Sequence, residues 1–367
     1  MSSQYQPRFL HRRLIATGSL SNLTSEQRLP NRRAPWISAI AVALILSVTA
    51  CSKSDNSSTT KKEDSTKSAQ APVVKCTTYD EVNTSFIPSV AYSVPVVASD
   101  LGLLEKYCIR QSLKKVSSPA DGIPLLVSGQ LQFHSINTGS IITAVQQKIM
   151  LRIVGPTLYS GDDIAMMVPK DSKLQKMSDL NGATVGTPAP KSMTAAGWLK
   201  VVQDAGGDPK SIKMTLVPPT ESIAALKKGT VAASQVQEPF ITLAGDSLRP
   251  LITDPWRGFG RPALGAGLVV TSEFYEANKD LVLRYQKALN ETWAALAKDP
   301  DLIRKTLKKN TEIDHAVLDK ITLPHINKDA DLMLPTYFSG VDYMVNYGWL
   351  QPFSNDQVKS LFISSTP

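Results

Sequence analysis

A chain of 367 residues, 42% hydrophobic and 20% charged, has ordinary globular composition and enough length for two lobes. Its formal net charge of +8 is uneven: residues 1–50 hold six arginines against one acid, Glu26, and the remainder carries 34 basic and 31 acidic residues. That leaves little support for nucleic-acid binding, and four histidines, none near another or near a cysteine, argue against a zinc site.

Residues 36–50, WISAIAVALILSVTA, are an apolar run behind an arginine-rich head. A membrane-spanning helix wants about 20 apolar residues, whereas the core of a secretory signal needs roughly 7–15. The run fits the second class and ends in small residues. Val48-Thr49-Ala50-Cys51 is similar to the bacterial lipobox, whose cysteine is lipidated and becomes the new N-terminus. Residues 1–50 are therefore expected to be a lipoprotein signal peptide and Cys51 the lipid anchor. An uncleaved N-terminal anchor with a chance cysteine is the competing reading.

Residues 52–75 are nearly free of apolar side chains before Val73 and read as a flexible tether. As a coil it would span roughly 25–30 Å, at about 5–6 Å × √n. Of three cysteines, Cys76 and Cys108 remain after lipidation. An even pair outside the cell invites a disulfide; two buried thiols are the other possibility.

From Cys76 onward, short apolar runs alternate with amphipathic stretches that start at Ser, Thr or Pro and stop at Gly. The expected helices open at Ser93, Ser118, Thr138, Ser192 and Pro218-Pro219-Thr220; four close, at Gly102, Gly129, Gly206-Gly207 and Gly229. A side-chain oxygen accepts from the orphan amides at a helix start, and glycine takes the left-handed conformation at its end. Strand-like runs lie between, at 131–136, 150–154, 164–168, 184–187, 214–217 and 231–236, with one more at 268–271. After that helices dominate, over 280–297, 301–310 and 332–347. Alternating β and α elements predict an α/β fold with a largely parallel sheet.

Six segments together carry a resemblance: Pro95-Val96-Val97-Ala98-Ser99-Asp100-Leu101-Gly102-Leu103-Leu104, Leu126-Val127-Ser128-Gly129-Gln130-Leu131-Gln132-Phe133, Val168-Pro169-Lys170-Asp171-Ser172, Met177-Ser178-Asp179-Leu180-Asn181-Gly182-Ala183-Thr184-Val185-Gly186, Ala224-Ala225-Leu226-Lys227-Lys228-Gly229 and Gln237-Glu238-Pro239-Phe240. In their order and spacing they resemble the solute-binding proteins of aliphatic-sulfonate, taurine, nitrate and thiamine-pyrimidine-precursor uptake. The resemblance covers about residues 78–350. It implies a two-lobed periplasmic-binding-protein-like fold (type II) with two crossing hinge strands, near 164–168 and 266–271. Lobe one would be 76–165 with 265–367, and lobe two 166–264. It also implies a small polar or anionic solute, an ABC permease and ATPase as partners, a monomer, and the outer face of the cytoplasmic membrane as location.

Candidate ligand contacts follow from where α/β sheets bind, at helix N-termini beyond strand ends, which favour anions. Asn137-Thr138-Gly139 and Ser192-Met193-Thr194 fit, one turn in each expected lobe. From the residues alone they read first as plain helix caps; the resemblance reverses that and favours ligand contact for Asn137, Thr138, Ser192 and Thr194. Gly139 would let a ligand approach the backbone closely. The resemblance adds Tyr92. Gln237 and Glu238 precede Pro239, where Glu238 either stabilises a helix start or accepts from a ligand amino group.

No cofactor is expected. An enzyme on the same fold is the competing function, either a pyrimidine-forming one or a hydrolase using Ser247 of Gly245-Asp246-Ser247-Leu248. Neither His315 nor His325 has an aspartate three residues before it, so no nucleophile–base set is visible. Gly258-Phe259-Gly260-Arg261-Pro262-Ala263 only loosely imitates a dinucleotide loop, since Pro262 would sit in the helix that must follow. His134 and Trp198 are expected to be structural.

Overall fold

The computed structural model describes residues 76–159, 161–260, 263–326 and 334–364. The signal run, Cys51 and the tether lie outside the described residues. No helix among the described residues is long and apolar enough to cross a membrane.

In chain order the first lobe opens with β1 (Asp80–Phe86), α1 (Val94–Asp100), α2 (Leu103–Lys106), β2 (Ile109–Lys115), α3 (Pro119–Val127), β3 (His134–Asn137), α4 (Thr138–Gln146) and β4 (Leu151–Tyr159). The second lobe follows with β5 (Ile164–Pro169), β6 (Thr184–Thr187), α5 (Met193–Asp204), β7 (Lys213–Leu216), α6 (Ser222–Lys227), β8 (Ala233–Gln237), α7 (Phe240–Ala244) and β9 (Leu248–Thr253). The chain then returns with β10 (Leu264–Thr271), α8 (Ser272–Ala277), α9 (Lys279–Leu296), α10 (Leu302–Asn310), α11 (His315–Leu318), α12 (Leu334–Asn346) and α13 (Asn355–Ser360).

The first lobe holds a parallel pair, β1–β2, and an antiparallel sheet in the order β3-β10-β4. The second holds one five-stranded sheet, β7-β6-β8-β5-β9, parallel from β7 to β8 and antiparallel around β5. The largely parallel sheet expected from the alternation is thus corrected to mixed sheets. β5 and β10 each enter their sheet from the other lobe, so they run against their neighbours. β5 pairs only within the second sheet and β10 only within the first.

Local chemistry explains the elements. Helix α4 starts where Asn137 accepts from Ser140 N, and α5 where Ser192 accepts from Ala195 N. Helix α9 buries Leu281, Tyr285, Leu289, Trp293 and Leu296, a three-to-four residue spacing that lays one stripe on the core. Tyr285 stacks on Phe133, ring centroids 4.1 Å apart, and Trp293 donates to Pro156 O at 3.0 Å. Each such side chain contributes about 1.5–3 kcal/mol on burial. A disulfide joins Cys76 to Cys108, Cα atoms 5.5 Å apart, fixing the start of the described chain to the turn before β2.

His134 is fully buried. Its Nε2 lies 2.8 Å from Pro119 O, a pure acceptor, so Nε2 carries the proton and Nδ1 accepts from the Ser85 hydroxyl at 2.7 Å. Burial pushes its pKa down to about 4, so the ring is neutral. A Cβ on Gly122 would lie 2.2 Å from the ring, so that residue leaves room for the imidazole.

Candidate ligand cleft

The N-termini of α4 and α5, one from each lobe, meet directly. A Cβ on Gly139 would lie 2.3 Å from Met193 N, so only glycine permits this approach. Met193 belongs to the second lobe by sequence but packs in the core of the first, against Gly340. The lobes are shut on one another.

Beside this contact a small cavity opens between them. Its polar walls are Tyr92 and Asn137 from the first lobe, and Ser192, Thr194, Gln235 and Gln237 from the second. All six side chains are more than nine-tenths buried. Leu158, Ile164, Pro188 and Ala266 supply apolar wall. The space is about 20 Å³, room for about one water, so a larger solute needs the lobes to part. A second cavity, about 330 Å³, lies within the first lobe between the end of α3 and α8, lined by Leu126, Val127, Gln132, Phe274 and Asn278 among others. It is roomier, but both its walls belong to one lobe and no buried polar cluster converges on it among the described residues.

The cavity's amides have fixed orientations. Gln235 Oε1 accepts from Trp198 Nε1 at 3.1 Å and from Thr187 Oγ1 at 3.2 Å. Indole only donates, so the Gln235 NH₂ group is the unused end. Asn137 Oδ1 accepts from Ser140 N at 3.0 Å, which likewise leaves its NH₂ group. Ser89 Oγ donates to Glu238 O at 3.2 Å, so it must accept from Gln237 Nε2 at 2.6 Å, and Gln237 Oε1 is left over. The hydroxyls of Tyr92, Ser192 and Thr194 complete the lining. Burial raises the Tyr92 pKa, which keeps the phenol a neutral donor. Tyr92 is the one ionisable side chain among the described lining residues.

Five of the eight sequence-predicted contacts meet here: Tyr92, Asn137, Ser192, Thr194 and Gln237. The other three are placed elsewhere. Thr138 is fully buried and donates to Leu264 O at 3.1 Å, while Gly139 is covered by the α5 backbone. The two helix starts therefore cap themselves and press on each other instead of clasping a head group with bare amides. Glu238 caps α7: Oε2 accepts from Thr242 N at 3.1 Å, and Oε1 from Thr242 Oγ1 and Thr322 N. It takes the helix-start role, ties the lobes through Thr322, and has its pKa raised by burial. Gln235 was missed, although period-two alternation along 233–237 places it on the face of Gln237. Trp198 is core, as expected, and orients Gln235. Ser247 Oγ donates to Ala244 O at 2.6 Å in the turn after α7 and does not line the cavity.

Solved structures share this architecture. The alkanesulfonate-binding protein SsuA from Xanthomonas axonopodis pv. citri, bound to MOPS, is 18% identical with a TM-score of 0.63; the match covers 78% of this chain and 99% of that one. A ligand-binding component of an ABC-type import system from Staphylococcus aureus, with zinc bound, has a TM-score of 0.67 at 15% identity, covering 77% and 96%. The nitrate-binding protein NrtA from Synechocystis PCC 6803 has a TM-score of 0.62 at 16% identity, covering 77% and 85%. Identities this low establish the fold, that of periplasmic binding proteins. A search of curated protein sequences returns no match. The family model described as NMT1/THI5 like matches residues 92–303, more than half of the chain, and the chain belongs to that family.

Proposed function

We propose that this chain is the extracytoplasmic solute-binding component of an ABC importer, capturing a small polar solute between its lobes and delivering it to a permease and ATPase. The observation that carries the reading is the cavity itself. Two lobes each contribute buried, unsaturated hydrogen-bonding groups to one space, which only closure brings together. That is the hinge-closure mode of capture: a solute stabilises the closed form through contacts that neither lobe offers alone. A lobe one of 76–165 with 265–367 and a lobe two of 166–264 belong to this reading, supported by β5 and β10 opening their sheets at Ile164 and Leu264. The structural neighbours named for sulfonate, nitrate and import-system binding support it too. An enzyme on this fold is disfavoured by the lining, whose described residues offer amides and hydroxyls but no base to activate them.

The lipid on Cys51 is part of the same proposal, with the chain tethered at the outer face of the cytoplasmic membrane by residues 52–75. Mass spectrometry of solute eluted from the purified protein tests the binding role. A chemically unchanged small molecule, rebinding to the stripped protein, is the expected result; turnover of it would reverse the assignment. For the anchor, Cys51→Ala should leave the protein released or retained as precursor. A variant still membrane-bound and cut before residue 51 would remove the lipobox reading.

A further inference from the structure

The polar lining has a handedness that bears on which solute it accepts; the inference rests on the cleft being the solute site. Hydroxyls adapt, since Tyr92, Ser192 and Thr194 can each donate or accept. Amides held at one end do not. Gln235 is held by a donor-only indole and Asn137 by a donor-only backbone amide, so each turns N–H groups to the cavity. Gln237 is held at its nitrogen by Ser89, whose one proton goes to Glu238 O, so it turns a carbonyl oxygen to the cavity. None of these three free ends has a hydrogen-bond partner among the described residues, and all three side chains are buried.

We propose that the cleft selects a neutral solute whose recognised edge carries both an acceptor and an N–H donor, as in a primary amide or a sulfonamide. The acceptor takes N–H groups of Asn137 and Gln235. The donor meets Gln237 Oε1. Asn137 belongs to one lobe and the two glutamines to the other, so the edge reads both lobes at once and closure follows from a complete match.

A pure acceptor anion fits worse for three reasons. Its oxygens would face Gln237 Oε1 with no proton between them. No cationic side chain is among the described lining residues, and a buried charge without a partner is costly. The helix starts that would supply positive dipole ends are already occupied: Ser140 N goes to Asn137, Ala195 N goes to Ser192, and Gly139 abuts Met193 N. A site that hydrogen-bonds an N–H rejects the analogue lacking it strongly, because the site's own buried group is left unpaired.

Calorimetric titration of the full chain with matched pairs tests this: methanesulfonamide against methanesulfonate, and benzamide against benzoate. The expected result is that the neutral member of each pair binds more tightly by about tenfold or more. Gln237→Met should reduce that preference to less than about threefold, through loss of the acceptor. The wild-type comparison stands alone if this variant does not fold. An anion that binds more tightly than its neutral partner, and loses affinity in Gln237→Met, overturns the selectivity while keeping the cleft as the solute site. No heat from any probe at millimolar concentration overturns the selectivity as well; the binding role is then judged by the eluted solute. A neutral preference unchanged in Gln237→Met overturns the part given to that residue.

Discussion

Asp163 sits between β4 and β5, fully buried, and neither carboxyl oxygen has a hydrogen bond from another of the described residues. Its backbone carbonyl accepts from Glu238 N at 2.9 Å, and Glu238, Asp254 and Asp162 add negative charge around it. Burial, reinforced by those carboxylates, pushes the Asp163 pKa from 3.8 up to about 8. Between those values the folded chain holds a proton that the unfolded chain releases, so folding loses stability as pH rises through that window. At pH 7 the loss is about 3 pH units at 1.36 kcal/mol each, or roughly 4 kcal/mol. Asp163→Asn keeps the shape and removes the titration. The amide carries one more unpaired donor than the protonated carboxyl, which costs about 1–3 kcal/mol, so the net gain at pH 7 is about 1–3 kcal/mol. At about 2–4 °C per kcal/mol for a domain of this class, the melting point should rise by roughly 2–12 °C at pH 7 and not at pH 4. Differential scanning calorimetry from pH 4 to 8 makes the measurement. A variant that melts lower than wild type at pH 7 and pH 4 alike would refute the buried, protonated carboxyl.

Three further outcomes follow from other sites. His134, neutral in the fold with its pKa near 4, is protonated in the unfolded chain below about 6.5. Stability should therefore fall by up to about 3 kcal/mol as pH drops from 6.5 to 4, a trend best seen in the Asp163→Asn background; a flat profile there contradicts the neutral ring. Gly139→Ala places a methyl 2.3 Å from Met193 N and should force the helix starts apart, costing about 1–3 kcal/mol and enlarging the radius of gyration; an unchanged scattering profile and melting point would mean the lobes do not touch there in solution. Alkylation of the unreduced chain should label neither Cys76 nor Cys108, and reduction should lower stability by about 2–5 kcal/mol; modification of both before reduction would show the thiols free.

The helices were legible because caps and periodicity are local. Ser192 caps α5 and glycines follow α3 and α6, and the stripe on α9 needs only its own spacing. Three strands escaped. β2 is an edge strand whose residues after Ile109 are polar or half-exposed, and β9 carries Pro250, which marks an edge. β1 takes its place only through a parallel partner 29 residues further along the chain.

The site divides the same way. By itself the sequence determined which turns follow strands, hence that Asn137 and Ser192 begin helices at strand ends, and it supplied five of the six polar cavity residues. It did not determine what those turns face. Only the tertiary structure decided that α4 and α5 meet end to end, which withdraws Thr138 and Gly139 into packing, and that Thr322 draws Glu238 out of the cleft. It alone decided which end of each amide is free, because that depends on Trp198, Ser89 and Ser140 arriving as donors. Caps and alternation are set within a few residues of chain, whereas the direction of a hydrogen bond across a cleft is set by partners that only folding brings together.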